Sequence, residues 1–278
     1  DHPLSNPSIG NATSITATTA DDMRKSWSAR YTPANAKFVI AGDIDADTAA
    51  KMLNTAFADW NPPAGTTSQA LPAPMGAPGF FAMDNKGAAQ TVLRVILPGW
   101  LETDPSYNLA DLGRIVLGGT FTSRLNSLLR EEKGYTYGAR ATLTAGDNYG
   151  NLIASSNVRT DVTGLALADL MGELVKISAG IDAAELKKAK GSKKTKTVGS
   201  MGTRSSVADT FAGYAASDRA ADSLSNDLSA SLGTDLDSVN AVLATIDTAN
   251  AIVVVVGDLD KIMPQLQEHV QAEWTVIE

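Results

Sequence analysis

The sequence LGGTFTSRLNSLLREEKGYTY, residues 117–137, predicts a helix between a pair of glycines and a strand. Gly118 and Gly119 interrupt the preceding element. The apolar residues that follow at helical spacing predict the core face of the helix, and they are Phe121, Leu125, Leu128 and Leu129. Arg130 lies nine residues after Phe121. At about 100° per residue it is expected on the opposite side, facing solvent or a cleft.

The end of the same segment predicts a tight turn into a strand. Gly134 is placed to end the helix in a left-handed cap, and a strand follows with Tyr137, Ala139 and Ala141 on one face. Arg130 and Tyr137 then flank one turn, where a guanidinium and a phenol can hold a peptide carbonyl and stabilise an oxyanion. The alternative is structural: a core tyrosine at the sheet edge, and an arginine paired on the surface with a neighbouring glutamate.

The segment resembles the non-zinc half of the M16 zinc peptidases, the family of pitrilysin, insulin-degrading enzyme and the mitochondrial processing peptidase. Members carry Gly-Gly, then Ser-Arg-Leu, then Leu-Arg, and a tyrosine seven residues after that arginine. The matching residues are Gly118, Gly119, Ser123, Arg124, Leu125, Leu129, Arg130 and Tyr137.

The resemblance implies roles for these residues. Arg130 would bind substrate backbone or a terminal carboxylate, and Tyr137 would stabilise the tetrahedral intermediate formed at a zinc ion. Contacts with the peptide substrate are also implied for Gly118, Gly119 and Ser123.

The zinc motif of the family is missing from this sequence. That motif, His-x-x-Glu-His with a further Glu downstream, supplies the metal ligands and the general base. The chain has two histidines, His2 and His269, and no cysteine, and neither histidine lies in such a motif. We therefore predict no metal ligands in this chain. The resemblance implies that zinc lies in a facing or missing domain and that the chain is inactive alone.

An internal repeat suggests why that half is absent. Residues 34–45, ANAKFVIAGDID, and 249–260, ANAIVVVVGDLD, match at seven of twelve positions. Each copy predicts a turn, a buried strand and a Gly-Asp turn into a helix. Duplication explains the match, and chance convergence is the alternative. The copies are 215 residues apart (249 − 34 = 215), so most of a first unit is expected upstream of Asp1.

The stretch NPPAGTTSQALPAPMGAPG, residues 61–79, predicts a linker because it is rich in Pro, Gly, Ser and Thr and has no periodicity. Residues 1–75 are therefore interpreted as the C-terminal remainder of a first M16-like domain with its linker. Residues 76–278 are interpreted as a second, complete domain.

The order of predicted elements indicates an α+β fold with a mostly antiparallel sheet covered by helices on one face. The resemblance implies the M16-peptidase-like (LuxS/MPP-like) version of it. The predicted strands are 38–41, 80–84, 91–97, 136–145, 149–158 and 251–256. Outside the opening segment, the predicted helices are 19–30, 47–60, 104–117, 163–179, 182–199, 205–218 and 235–246.

Composition limits the partners. The net charge of −8 argues against nucleic acid and favours a neutral or basic substrate. The apolar run at residues 251–256 is far shorter than the roughly 18 residues of a membrane span. Absence of cysteine excludes disulfides and is compatible with an oxidising compartment, but it says little about location. The compartment is left open, with a bacterial periplasm somewhat favoured over the cytoplasm.

Two basic features have plainer interpretations. Arg124 is expected to pair with a carboxylate that holds its helix. Six lysines between residues 187 and 196 predict a solvated helix face, with attraction of acidic peptides as the alternative.

Two functions from different classes remain open. In the first, the chain is the non-zinc half of an M16-like endopeptidase that binds peptide and stabilises the transition state with Arg130 and Tyr137. Its partner would be a zinc-bearing M16-like domain or subunit, or a second copy of the chain. In the second, the chain is a catalytically inactive structural or partner-binding subunit. Retention of both residues favours the first.

Overall fold

The computed structural model describes residues 6–60, 73, 76–146 and 148–277. The chain divides into two compact units. Unit 1 comprises residues 1–74 and 197–224, and unit 2 comprises residues 75–196 and 225–278. The β-sheet and the main hydrophobic core belong to unit 2.

The elements within the described residues are as follows. The helices are α1 (Ala12–Ala17), α2 (Ala20–Arg30), α3 (Ala46–Ala56), α4 (Tyr107–Arg114), α5 (Arg124–Asn126), α6 (Thr163–Ser178), α7 (Ala183–Gly199), α8 (Arg204–Ala216), α9 (Ser223–Gly233), α10 (Leu236–Leu243) and α11 (Leu259–His269). The strands are β1 (Gly79–Asp84), β2 (Gln90–Pro98), β3 (Thr136–Ala145), β4 (Gly150–Arg159), β5 (Ile252–Gly257) and β6 (Trp274–Ile277). Wider π-helical turns continue α4 through Ile115–Gly119 and α5 through Ser127–Glu132.

The six strands form one sheet in the order β3-β4-β2-β5-β1-β6. The pairs β3/β4, β4/β2 and β2/β5 are antiparallel, whereas β1 runs parallel to both β5 and β6. The predicted α+β class and the mostly antiparallel sheet are confirmed. The parallel pairs at β1 join strands far apart in sequence, which local periodicity does not reveal.

One face of this sheet carries the core. Along β2 the side chains of Leu93, Val95 and Leu97 are buried, and Arg94 between them is exposed, because successive side chains of a strand point to opposite faces. Helices α6 and α11 bury their apolar residues in the same cluster, among them Leu167, Leu170, Ile262 and Leu266. The opposite face is left with a row of polar and half-buried side chains.

Most predicted elements of unit 2 are confirmed to within two residues, β1 to β5 among them. In unit 1 the predicted helix over residues 19–30 is also confirmed, with the expected capping box. The Asp22 backbone N–H donates to Thr19 Oγ1 at 3.2 Å, and the Thr19 N–H donates to Asp22 Oδ2 at 3.0 Å. Strand β6 was not predicted.

The predicted strand at residues 38–41 is wrong. The segment pairs with no strand, and Phe38 and Ile40 are each 50% exposed. All the strands in the described part of the chain lie in unit 2, so this segment has no neighbour in its own unit to complete a ladder. Its repeat copy, by contrast, forms β5, where Val253 and Val255 are fully buried between two neighbouring strands.

The division after residue 74 falls beside the predicted boundary at residues 75 and 76, but residues 197–224 group with unit 1. That residues 1–75 are the remainder of a homologous first domain stays a prediction. Most of the predicted linker lies outside the described residues, as does His2. No helix in the described ranges is long and apolar enough to cross a membrane.

Candidate functional site

The helix predicted within residues 117–137 begins later than its apolar pattern indicates. Ser123 is the residue before α5, and Leu125 and Leu129 are fully buried as expected, with Leu128 partly buried against the core. Phe121 was predicted to share this core face, but it precedes the helix and is 62% exposed. Placing it on the helix was therefore wrong, and it leaves an aromatic ring at the surface.

Gly118 occupies a point of close contact between elements. A Cβ atom there would lie 2.3 Å from the backbone nitrogen of Ala141 in β3, so only glycine allows this approach. Gly118 is buried and Gly119 is exposed, beside the guanidinium of Arg114. Packing thus accounts for Gly118, and the substrate contacts assigned to both glycines stay predictions.

Asn126 fixes this helix to the edge strand, a role that sequence reasoning missed. Its side chain is buried, donates to the Ala139 carbonyl oxygen at 2.7 Å and accepts from the Ala139 N–H at 2.9 Å. Its Nδ2 also donates to the Thr120 carbonyl oxygen at 3.1 Å. A lone asparagine next to a leucine gives no sequence signal of such a clamp, because its partner lies 13 residues away.

An irregularity in β3 decides where Tyr137 points. The register of β3 against β4 shifts between Thr136 and Ala139. The Thr136 hydroxyl donates to the Asn157 carbonyl oxygen at 2.6 Å, and the Gly138 N–H donates to the Thr136 hydroxyl oxygen at 3.0 Å. The bulge breaks the alternation that would have placed Tyr137 with Ala139 in the core. Tyr137 is instead 90% exposed, so the buried-tyrosine alternative is wrong.

Arg130 lies against the exposed ring of Phe121. Its guanidinium carbon is 4.1 Å from the ring centroid, and its Nη1 is 3.4 Å from Glu131 Oε1. Arg130 is therefore partly exposed, at 32%, as expected from its position on the helix. It also pairs with a neighbouring glutamate, as the structural alternative expected. Gly134 ends the turn with φ of 62°, as predicted for a left-handed cap.

The open face of the sheet forms a cleft of about 770 Å³. Phe121 and Tyr137 border it, and its floor comes from β2, β3 and β4. The floor residues that point away from the core are Gln90, Val92, Arg94, Arg140, Thr142, Thr144, Ile153, Ser155 and Asn157. The structure therefore brings Tyr137 to this cleft directly and Arg130 to its border through Phe121.

Ser123 lies elsewhere. It is 3% exposed and lines a smaller cavity of about 200 Å³ with Arg124 and Glu185. Its hydroxyl oxygen is 3.4 Å from Asn126 Nδ2, a contact inside the fold. The structure does not bring Ser123 to the cleft, and its predicted substrate contact stays a prediction.

Arg124 pairs with a carboxylate, as expected. Its Nε and Nη2 donate to the two oxygens of Glu185 at 2.7 and 2.6 Å, and Nη2 also reaches the Gly180 carbonyl oxygen at 3.2 Å. This bidentate hydrogen bonding lowers the pKa of the Glu185 carboxyl and raises the pKa of Arg124. The pair joins α5 to the start of α7.

The predicted solvated lysine face is only partly correct. Lys188 donates to the Thr122 carbonyl oxygen at 2.6 Å, Lys190 donates to the Leu232 carbonyl oxygen at 2.9 Å, and Lys193 pairs with Asp111 at 2.9 Å. The other three lysines, Lys187, Lys194 and Lys196, are exposed. Half of the cluster is therefore used to hold α7 in place.

The described residues do not fit a zinc ion. They contain no group of three or more His, Cys, Asp or Glu side chains close enough to share a metal. His269 ends α11, with Glu268 as its acidic neighbour at 3.9 Å. This side chain alone cannot supply the three protein ligands of a catalytic zinc.

Fold and site together define a helix-covered α+β domain with aromatic and basic groups around an open sheet face. Residues 17–193 match the sequence profile of the family described as peptidase M16 inactive domain. Because the match spans more than half of the chain, the chain belongs to the peptidase M16 family. The family recognised from residues 117–137 is confirmed.

Two relatives share detectable sequence similarity, and both are named as uncharacterized zinc proteases. The protein from Mycobacterium leprae is 28% identical over 208 residues, covering 69% of this chain and 44% of that protein. The protein from Streptomyces coelicolor is 25% identical over 142 residues, covering 49% of this chain and 31% of that protein. The chain spans less than half the length of either relative.

Solved structures share the fold. The M16 inactive domain from Pseudomonas fluorescens superposes with a TM-score of 0.76 at 20% identity, over 92% of this chain and 62% of that one. The first half of a periplasmic protease from Escherichia coli superposes with a TM-score of 0.69 at 16% identity. This match covers 97% of this chain and 63% of that one. The chain is thus an inactive-type M16 domain of zinc-protease-like proteins.

Proposed function

We propose that the chain is the non-zinc half of an M16-like zinc endopeptidase, which holds a peptide while a zinc-bearing domain or subunit supplies the metal. Arg130 and Tyr137 are assigned to bind the peptide and to stabilise charge that develops on its carbonyl oxygen. The chain alone is inactive in this proposal.

The exposure of Tyr137 carries the proposal. The side chain is 90% exposed at the border of the cleft, and its hydroxyl has no hydrogen-bond partner among the residues the structure describes. An apolar packing role needs burial, which the bulge in β3 prevents. A free phenol donor at the border of a cleft is suited to a carbonyl oxygen of a bound peptide.

Arg130 supports the same assignment by its orientation. Phe121 lies on one face of the guanidinium, so the planar group is held while its N–H donors stay at the edge. Its ion pair with Glu131 is long, at 3.4 Å, and leaves donors for a substrate carbonyl or carboxylate.

The test is peptide cleavage with the zinc-bearing half supplied, either as the full-length protein or as an added partner. Removing one oxyanion donor costs on the order of 10²-fold in kcat, so Tyr137→Phe and Arg130→Ala are expected to lose about that much. Tyr149→Phe is the matched tyrosine control in the same unit, and Arg24→Ala removes an arginine from a surface pair in unit 1. Cleavage at the wild-type rate by both site variants would refute the catalytic assignment.

The same experiment distinguishes the endopeptidase role from the alternative role as a structural or partner-binding subunit. A structural or partner-binding subunit would support no cleavage with any zinc-bearing partner, although it would still associate with one. Association measured by analytical ultracentrifugation, without any peptide hydrolysis, is the result expected of that second function.

We also assign the protein to a bacterial periplasm. One structural neighbour is named a periplasmic protease, and the chain has no cysteine that an oxidising compartment would link. Fractionation of cells that express the full-length protein tests this, and recovery in the cytoplasmic fraction alone would contradict it.

A further inference from the structure

Two arginines lie in one row across the open face of the sheet. In the register of the strands, Ser155 of β4 is opposite Arg94 of β2 on one side and opposite Arg140 of β3 on the other. Neighbouring strands are about 4.8 Å apart, so the two arginine Cα atoms are separated by about 10 Å. Both side chains are exposed and both line the cleft.

Neither arginine has a partner within the described residues. Neither guanidinium forms an ion pair or a hydrogen bond there, in contrast to Arg114, Arg124 and Arg159, which are all paired. Among the residues that the structure describes, the lining of the cleft contains no aspartate or glutamate. This is unexpected on a chain with 31 acidic and 23 basic residues, and it makes the cleft floor locally positive.

The surroundings of this row suit an extended chain. Thr142, Ser155 and Asn157 offer hydrogen-bonding groups, and Val92 and Ile153 are half-buried apolar neighbours. A volume of about 770 Å³ is within the roughly 300–1,000 Å³ of ligand clefts. Alternate side chains of an extended peptide lie on one face about 7 Å apart, and the long arginine side chains can reach two of them from Cα atoms about 10 Å apart.

We propose that the floor of this cleft binds acidic peptide segments, with Arg94 and Arg140 each holding one side-chain carboxylate. Guanidinium groups bind carboxylates in a bidentate geometry, which favours Glu or Asp over a neutral side chain. The net charge of the chain favours a neutral or basic substrate, but a ligand in the cleft meets the local charge of the floor first. This inference deepens the proposed function by naming a class of substrate.

Binding is measured on the chain alone by fluorescence anisotropy. The probe is a labelled ten-residue peptide with an amidated C-terminus and two glutamates two positions apart, which places both on one face of an extended chain. The comparison is the same peptide with glutamine in place of glutamate. We expect the acidic peptide to bind more tightly and to weaken as salt is raised. Arg94→Gln and Arg140→Gln are each expected to weaken it about fivefold, as for an exposed ion pair.

The control variant is Lys194→Gln, which removes one positive charge from an exposed position on α7. Arg94→Lys keeps the charge and is expected to retain part of the affinity, and circular dichroism verifies that each variant is folded. Equal affinity for the acidic and neutral peptides, or unchanged affinity in both glutamine variants, would overturn the proposal. Tighter binding of a single-stranded DNA, or of a neutral peptide only when its C-terminus is free, would also overturn it.

The binding assay contains no zinc-bearing half and the cleavage assay requires one. A failure of this inference can therefore be distinguished from a failure of the proposed function. Tighter binding of the acidic peptide by the chain alone, together with no cleavage of any peptide in the reconstituted enzyme, would contradict the proposed function and leave this inference standing. Cleavage by the reconstituted enzyme, together with equal affinity of the chain alone for the acidic and neutral peptides, would overturn this inference and leave the proposed function standing.

Discussion

The guanidinium of Arg130 lies 4.1 Å from the ring centroid of Phe121, although the two residues were expected on opposite sides of one helix. The contact exists because Phe121 precedes the helix and turns outward. It connects Arg130 to the cleft that Tyr137 borders, since Phe121 lines that cleft. The exposed ring of Phe121 thus positions the guanidinium of Arg130.

Phe121→Ala is expected to lower kcat/KM of the reconstituted enzyme about fivefold, because an exposed cation–π contact is worth roughly 0.5–1 kcal/mol. Stability should change by less than about 0.5 kcal/mol, since the ring is largely exposed. Phe121→Tyr keeps the aromatic face and serves as the control. Peptide cleavage and urea unfolding are measured together, and an unchanged cleavage rate in Phe121→Ala would contradict this role.

Asn126→Ala should cost about 2–5 kcal/mol of stability, because it leaves the buried N–H and carbonyl oxygen of Ala139 without their side-chain partners. Ser127→Ala, at the next and exposed position, should change stability by less than about 0.5 kcal/mol. The free energies of unfolding come from urea titration. Similar values for the two variants would show that the Asn126 clamp contributes little.

The sequence was sufficient for β1 to β5 of unit 2 because their apolar residues mark the buried face. Leu93, Val95 and Leu97 predict β2 and its orientation without any partner strand. The same reasoning failed at residues 38–41, where an apolar segment has no adjacent strand in its unit. A strand forms only where two segments pair, whereas hydrophobic periodicity describes a single segment.

The roles assigned to Arg130 and Tyr137 stay predictions, and the geometry around them could not be predicted from the sequence. Arg130 and Tyr137 came from spacing, yet the orientation of Tyr137 depends on a bulge held by Thr136 and on a clamp from Asn126. Both are side-chain bonds to backbone groups that are distant in sequence. Arg94 and Arg140 converge only through strand register, so no local motif could have indicated them.

Gly118→Ala is expected to destabilise the chain by about 1–3 kcal/mol, since the added methyl group would overlap the backbone of β3 at Arg140 and Ala141. Gly172→Ala is the matched control within helix α6, where nothing lies within 4 Å of the added Cβ. There alanine should stabilise by about 0.5–1 kcal/mol through helix propensity. Opposite signs in urea unfolding are expected, and equal effects would refute the packing explanation.

Purified chain is expected to retain no stoichiometric zinc after dialysis against metal-free buffer, because its described residues offer no cluster of metal ligands. Elemental analysis by mass spectrometry measures the content, with a zinc peptidase of known metal content as the positive control. One tight zinc per isolated chain would place a metal site here and overturn the division of roles proposed above.

Glu185→Gln is expected to flatten the acid dependence of stability. Its hydrogen bonds from Arg124 hold the Glu185 pKa below its ordinary value, so the folded state favours the carboxylate. The stabilisation is therefore present above the unfolded-state pKa of about 4.3 and is lost as the pH falls through the lower folded-state pKa. At pH 7 the variant should be less stable by about 1–3 kcal/mol, as for a hydrogen bond to a charged group.

At a pH well below both values the difference between Glu185→Gln and wild type should shrink toward zero, since wild-type Glu185 is then neutral as well. Glu268→Gln, at a side chain that is 73% exposed, is the control and should track wild type throughout. Urea unfolding at steps from pH 7 to pH 3 gives the comparison. A stability difference that is independent of pH would mean that Glu185 acts through packing and not through its charge.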